Sequence, residues 1–490
     1  MLDRWLDGNP VGSDRGEGLM ARRLVDSGVT DPVPQRVDAR KGGLRCGIAI
    51  PIRDDPAGLE ATLRSIAETA PWAPVVVVDD GSQVGAESEV GAESEVGAES
   101  EVGAESNAEV EAESESALRV LRRLEPGGPA AARNTAWRSY AEADRPDVVV
   151  FVDAGVVTTP GWIERLLPHF ADPAVGAVAP RVLARGGRRS SKSISIYERH
   201  RSPLDMGPHA SLVRPASRVP YVPTAALALR MTVLEELGGF DETLRFGEDV
   251  DLVWRLHEAG WRVRYEPAAT VTHPDRETLP AWIRQRYSYG RSAAPLASRR
   301  GSAVAPLAVS GWSLGFWWLV GLGRLRPASA LAAFTSVALA AKGTRRREKP
   351  AREKSPRGRP ARQRALAVEL ARLALVGNLR SAVPIASALR RAWTLPGAVL
   401  LAACWPRMRT RSRRFASLSA TAVLVAPGLS DWWRHRQDGI GPLRWCSMRI
   451  ADDFAYQAGV WAGSFESRSA AALVPRFGTT NVTSSAARPV

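Results

Sequence analysis

The chain has 490 residues, enough for two or three domains with proper cores, and a net charge of +14. Residues 301–490 hold 29 Lys+Arg against 8 Asp+Glu, whereas residues 1–300 hold 37 against 44, so the basic excess belongs to the C-terminal part alone. Three distant cysteines, Cys46, Cys404 and Cys446, show no C-x-x-C spacing. That argues against a disulfide framework or a zinc site and fits a reducing cytoplasm.

The first 43 residues are polar and Gly-rich, with one short helical candidate, "MARRLVDSG", ended by Gly28. They read as a remnant N-terminal appendage. The N-terminus lacks a basic start followed by an apolar core, so no signal peptide is expected.

From Leu44 the pattern changes. "LRCGIAIPIR" predicts a strand, "GLEATLRSIAET" an amphipathic helix, and "APVVVVDDGS" a second, buried strand. "ALRVLRR" predicts a third strand, "GPAAARNTAWRSYAEA" a helix, and "DVVVFVDAG" a fourth strand. Continuous apolar strands alternating with helices imply an α/β fold with a Rossmann-like, mostly parallel sheet covered on both faces. Ligands of such sheets bind beyond the C-terminal strand ends, where Asp79, Asp80 and Asp153 fall.

One interruption stands out. "VGAESE" repeats from Val84 to Glu101 and decays towards residue 116. A six-residue period matches neither helix nor strand, and the acidic, small-residue composition predicts a disordered insertion in a surface loop over 84–116.

Beyond Asp153, "LRFGEDVDLVWRLHEAGWRVRYEP" places Glu248, Asp249 and Asp251 at a helix start, where acids suit the dipole. Three acids in one turn exceed capping needs, so one of them is a candidate general base. His273, after the strand-like "ATVTH", is a candidate metal or phosphate ligand, although a lone histidine is more often structural. Arg284, Arg286 and Tyr287 can be read as a pyrophosphate site or as a solvated helix face.

After residue 300, "SAVAPLAVSGWSLGFWWLVGLG", Ser302–Gly323, is uncharged over about the length of a bilayer span, and three shorter apolar segments follow it. A Lys/Arg-rich, Pro-broken run lies between them. Residues 301–490 therefore read as a helical, basic, membrane-associated region, with a soluble bundle as the alternative. Nucleic acid is not expected as a partner, because the basic run lacks interleaved aromatics.

Singly these features are weak. In order, "IPIRDDPAGLEATLRSI", "VVVVDDGS", "GGPAAARN", "FVDAG" with "PGW", "GGFDE" and "GEDVDLVWRL" resemble the family 2 inverting glycosyltransferases over Leu44–Arg291. The resemblance implies a GT-A fold over 44–300. The stretches "YERHRSPLDMGPHASLVRPASRVPYVPTAALALR", "YSYGRSAAPLA" and "ADDFAYQAGVWAGSFESRSAAALVPR" look like the mycofactocin-biosynthesis glycosyltransferases of actinobacteria. That likeness implies transfer of glucose from UDP-glucose to a peptide-derived small-molecule acceptor, building a β-linked oligoglucoside; the basic loops beside short apolar segments put the expected location on the cytoplasmic face of the membrane.

Carried over by motif, Asp54, Asp80 and Arg133 would face the nucleotide, with Asp79 beside them, and Asp153 would face the ribose and a divalent metal, Mn or Mg. Asp249 would be the base that deprotonates the acceptor hydroxyl, with Glu248 beside it in the catalytic centre, and His273 a further metal ligand. Gly155 departs from the pattern, standing where the second acid of D-x-D normally holds the metal. An impaired homologue that binds a nucleotide sugar, and a membrane-surface scaffold, are the competing expectations.

Overall fold

The computed structural model describes residues 2–12, 14–34, 43–83, 118–143, 145–186, 192–215, 217–276, 278–346 and 359–477. The VGAESE insertion lies outside them. The chain divides into two compact units, Met1–Leu279 and Pro280–Val482. The division between these units lies at 279/280, where the sequence suggested one at 300, and the described residues before 44 belong to the first unit.

The first unit runs α1 (Leu2–Leu6), α2 (Arg15–Ser27), β1 (Cys46–Ile52), α3 (Pro56–Thr69), β2 (Val75–Asp79), β3 (Leu118–Arg122) and α4 (Pro129–Arg138). It continues with β4 (Val148–Val152), β5 (Val157–Thr158), α5 (Trp162–Leu166), β6 (Val175–Arg185), α6 (Lys192–Arg201) and β7 (Ser211–Val213). The last elements are β8 (Ala226–Arg230), α7 (Met231–Leu237), α8 (Glu248–Glu258) and β9 (Arg262–Pro274).

These nine strands form one sheet in the order β3-β2-β1-β4-β8-β6-β9-β5, with β7 also on β9. The β3-β2-β1-β4 half is parallel throughout, and β8 enters antiparallel to both β4 and β6. This is the expected α/β fold. Val75–Val78 and Val148–Val152 are buried at every position, as strands covered on both faces must be. Ile48, Ile50, Val77, Val150 and Val152 share a core with Leu59 and Ile66 of α3 and with Trp162 and Ile163 of α5. From the other face of β4, Phe151 meets Phe240 edge-on with ring centroids 5.2 Å apart.

The N-terminal residues are more than a remnant. The Asp14 carboxylate caps α2 by accepting from Glu17 N–H, and Gly28 ends the helix at φ 73°. Beyond that, Asp26 accepts from Arg262 Nε and Nη2 of β9 at 2.8 and 3.0 Å, and Asp31 lies 3.8 Å from Arg264. Both arginines are buried, so the N-terminal acids supply their countercharge.

The second unit holds α9 (Leu279–Arg291), α10 (Ala293–Arg300), β10 (Ala308–Val309), α11 (Gly311–Gly321), α12 (Leu325–Arg346) and α13 (Arg359–Arg380). After these come α14 (Ala382–Arg391), α15 (Thr394–Cys404), α16 (Thr410–Arg434), α17 (Pro442–Glu466) and β11 (Arg476–Phe477), which pairs with β10. It is the expected helical region. The 22-residue apolar stretch at 302–323 does not form one span: a 3₁₀ turn and β10 use its first third, leaving eleven residues for α11. Among the described residues no helix is long and apolar enough to cross a membrane.

Within this unit α9 and α17 pack backbone to backbone. A Cβ on Gly459 would overlap the Tyr287 carbonyl oxygen, one on Gly463 the Arg291 carbonyl, and one on Gly290 the Tyr456 carbonyl. Arg286 of α9 is buried against Asp452 at 3.1 Å and stacks over Trp282. It is thus a packing residue, neither a solvated face nor a phosphate clamp.

Candidate active site

The parallel strands deliver their acids to one edge, but the acids do different work there. Asp79, the last residue of β2, has no exposed surface, and its Oδ1 accepts from Ser82 N–H at 2.9 Å. It shapes the turn at Gly81, which stands at φ 69°, and presents nothing to a ligand in this arrangement. Asp80 accepts from Arg123 Nε and Gly127 N–H at 2.9 Å each and from Gly128 N–H at 2.6 Å. It therefore fixes the Gly-Gly-Pro entry to α4. Asp54 bridges the β1 and β2 loops: its N–H donates to Ser82 Oγ at 2.9 Å and its Oδ1 accepts from Gln83 N–H at 2.9 Å. Its carboxylate is exposed, in contrast to those of Asp79 and Asp80.

Arg133 is where the motifs converge. Buried on α4, it donates from Nη2 to Asp153 Oδ1 at 2.7 Å and from Nη1 to Glu248 Oε1 at 2.9 Å. Its guanidinium carbon stands 5.5 Å from the Phe240 ring centroid. Burial alone would disfavour the charge, but the two carboxylates outweigh it and hold the Arg133 pKa above its ordinary value. One cation thus joins the end of β4 to the start of α8.

The neighbouring Asn134 was not singled out from the sequence. Its Nδ2 donates to Phe240 C=O at 2.8 Å and Glu242 Oε1 at 2.7 Å, and its Oδ1 accepts from Phe240 N–H at 2.8 Å. Gly239, at φ 75°, must be glycine because a Cβ there would strike the Asn134 amide. "ARN" and "GGFDE" are therefore one contact. The pairing of an asparagine with a Gly-Gly turn more than a hundred residues away has no local signature in sequence.

Of the three acids opening α8, each has its own environment. Asp251 is buried and paired with Arg255 at 2.8 Å, which in turn binds the carbonyls of Leu237 and Gly239. Glu248 is held by Arg133. Asp249 is half-buried, with Oδ1 accepting from Val250 N–H at 2.8 Å. Burial first, then the adjacent Glu248 charge, push its pKa up to about 7. That matches a general base working near neutral pH.

His273 reaches the same edge through β9. Pairing of Val157 with Thr272 brings the end of β9 beside the turn after Asp153. Its Nδ1 lies 2.9 Å from Pro274 C=O; a carbonyl only accepts, so Nδ1 carries the proton and Nε2 the lone pair. Burial lowers the His273 pKa despite the opposing Asp153 charge, so the ring is neutral and able to ligate. Gly155 adopts φ 91°, and a Cβ there would sit 3.2 Å from Pro274 Cγ and 3.7 Å from Asp55 Oδ2. Its N–H donates to Thr62 Oγ1 at 2.9 Å, a second contact that the sequence did not announce.

A divalent cation, implied by the resemblance, fits part of this set. Asp153, with one oxygen on Arg133 and 29% of its side chain exposed, and neutral His273 are suitable hard and borderline donors. Among the described residues neither belongs to a cluster of three ligand-bearing side chains, so any remaining ligands would come from the diphosphate or water.

The profile described as "Glycosyltransferase like family 2" matches residues 45–289. The pre-mycofactocin glycosyltransferase of Mycobacterium tuberculosis (strain H37Rv) is 35% identical over 484 residues, covering 96% of this chain and 90% of that one. The O-antigen chain rhamnosyltransferase RfbN of Salmonella typhimurium is 26% identical over 32% of this chain and 48% of that one. Among solved structures, the mannosyltransferase PcManGT from Pyrobaculum calidifontis aligns over 85% of this chain and 93% of that one. Its identity is 17% and its TM-score 0.37, a likeness too slight to argue from. With half its length inside the family profile and a relative matched almost end to end, this chain is a glycosyltransferase and belongs to the family 2-like group that includes the pre-mycofactocin glycosyltransferases.

Proposed function

We propose that this chain transfers glucose from UDP-glucose to a peptide-derived acceptor of the pre-mycofactocin type, with inversion, building a β-linked oligoglucoside. The observation that carries the reading is the buried Arg133–Asp153–Glu248 cluster with half-buried Asp249 next to it at the start of α8, and the raised Asp249 pKa supports it. The extended similarity to the mycobacterial enzyme supports the acceptor class.

In this reading Asp249 takes the proton from the acceptor hydroxyl as its oxygen attacks C1 of the sugar. The bond from C1 to the phosphate oxygen breaks, UDP leaves with the electron pair, and one displacement turns an α-linked donor into a β-linked product. Arg133 fixes Glu248, and so the first turn of α8, relative to Asp153. Exposed Asp54 contacts the nucleotide, and Asp80 shapes the loop beneath it. A divalent cation held by Asp153 and His273 would neutralise charge on the departing diphosphate. The enzyme works on the cytoplasmic membrane surface, a reading supported by the basic, apolar second unit, and uses no nucleic acid.

Incubation with UDP-glucose and a peptide-derived acceptor, followed by mass spectrometry and UDP assay, tests this reading. Glucosylated product from the wild type and none from Asp249→Asn is expected. UDP-glucose binding without turnover by the wild type would favour the impaired homologue instead, for which Gly155 speaks.

A further inference from the structure

Residues 370–430 contain nine arginines and no acidic residue. In their middle lies α15, "TLPGAVLLAAC", which has no charged side chain and not one buried residue. Leu395, Val399 and Leu400 are 60%, 70% and 50% exposed. A helix apolar on every side is ordinarily a buried one, yet among the described residues nothing buries this one. Eleven residues rise about 16 Å, half a bilayer core, so the helix cannot span.

The segment after α15 is ordered like an interfacial anchor. Exposed Trp405 ends the apolar run, and Arg407, Arg409, Arg411, Arg413 and Arg414 come within the next ten residues. The turn is fixed: Arg413 donates from Nε to Trp405 C=O at 2.9 Å and from Nη2 to Pro406 C=O at 3.1 Å. Tryptophan favours the boundary between acyl chains and headgroups, and arginine stems reach from apolar surface to phosphate. The uniformly positive surroundings favour an anionic bilayer over a neutral one and over a basic protein surface.

We propose that α15 inserts into the headgroup–acyl boundary of an anionic bilayer, with Trp405 at the interface and Arg407, Arg409 and Arg411 on lipid phosphates. This deepens, and rests on, the membrane-surface reading above. It assigns contact to one short helix and the turn after it.

Cys404 closes α15 and is exposed, whereas Cys46 and Cys446 are buried, so the full-length protein can be labelled there with an environment-sensitive fluorophore. With phosphatidylcholine vesicles containing one quarter phosphatidylglycerol, emission should rise and shift to the blue; with phosphatidylcholine alone it should not. The triple variant Leu395→Ser/Val399→Ser/Leu400→Ser should lose about tenfold or more in partitioning to the anionic vesicles, with unchanged circular dichroism and transfer to a soluble acceptor. Failure of the wild type to bind any vesicle would sink this inference together with the membrane reading. Vesicle binding with the Cys404 label still in water, or equal binding by the triple variant, would overturn this inference alone. Self-association that the triple variant abolishes, without vesicle binding, would give the face to a second copy and also overturn it.

Discussion

Arg133 and Glu248, 115 residues apart in the chain, meet through a buried 2.9 Å hydrogen bond, and the same guanidinium holds Asp153 at 2.7 Å. Replacing Arg133 with Met would leave two carboxylates facing each other without a cation. We expect a loss of about 3–5 kcal/mol, the usual result of removing one partner from a buried charge cluster. Thermal unfolding checks the stability, and UDP-glucose titration should show weakened donor binding as well.

Asp249 predicts the pH dependence. Its raised pKa, to about 7, keeps the carboxyl protonated below neutrality, so transfer should rise with pH through about 7 and fall about tenfold per unit on the acid side. The same shift opposes folding: its unfavourable contribution is absent below about pH 4, where both states are protonated, grows between about 4 and 7, where only the unfolded carboxyl has ionised, and is complete above about 7. Asp249→Asn should abolish transfer, retain UDP-glucose binding, and raise stability above pH 7 by about 1–2 kcal/mol, a figure reduced because the carboxylate is only half-buried. An activity profile flat between pH 5 and 9 would refute the assignment.

At Gly155 the expectation runs against simple repair. Its φ of 91° is strained for any residue with a Cβ, and Pro274 crowds the position. Both Gly155→Ala and Gly155→Asp should cost about 1–3 kcal/mol. Restoring the acid should therefore bring no gain in Mn²⁺ affinity measured calorimetrically in the presence of UDP. His273→Ala should lower that affinity by about tenfold or more.

The N-terminal acids make a separate forecast. Asp26→Ala removes the bidentate partner of buried Arg262 and leaves it, among the described residues, Asp172 at 3.2 Å. We expect about 2 kcal/mol of destabilisation by chemical denaturation. A variant beginning at residue 44 should be less stable still, because Arg264 loses Asp31 as well.

In the helical unit, Gly459→Val should be severe. Its branched side chain would collide with the backbone of α9, which cannot yield as a flexible side chain would. A cost of about 3 kcal/mol is expected, visible in a thermal melt.

Much of this was legible in the residues. Continuous runs such as Val75–Val78 and Val148–Val152 can only be doubly covered strands, and acids placed after them mark the ligand edge. Apolar length alone does not reveal that Ser302–Gly323 is shared between a 3₁₀ turn, β10 and α11. Asp79 reads as a ligand contact, and Arg286 as either a pyrophosphate contact or a solvated face, because sequence gives residue type without burial. The first 43 residues read as a remnant because sequence does not show that Asp26 has its partner, Arg262, 236 positions away. The glycines of "GVWAG" were read as part of a family likeness, although their i, i+4 spacing is also the mark of closely crossing helices.

The Asn134 contact bears on modularity. One amide grips both backbone groups of Phe240 and excludes a side chain from Gly239. The Gly-Gly-Phe loop and the Ala-Arg-Asn helix are therefore a single cassette in two pieces. A chimaera that imports either segment from another transferase without its counterpart would misplace Arg133 and α8 together, even with every acid in the site retained.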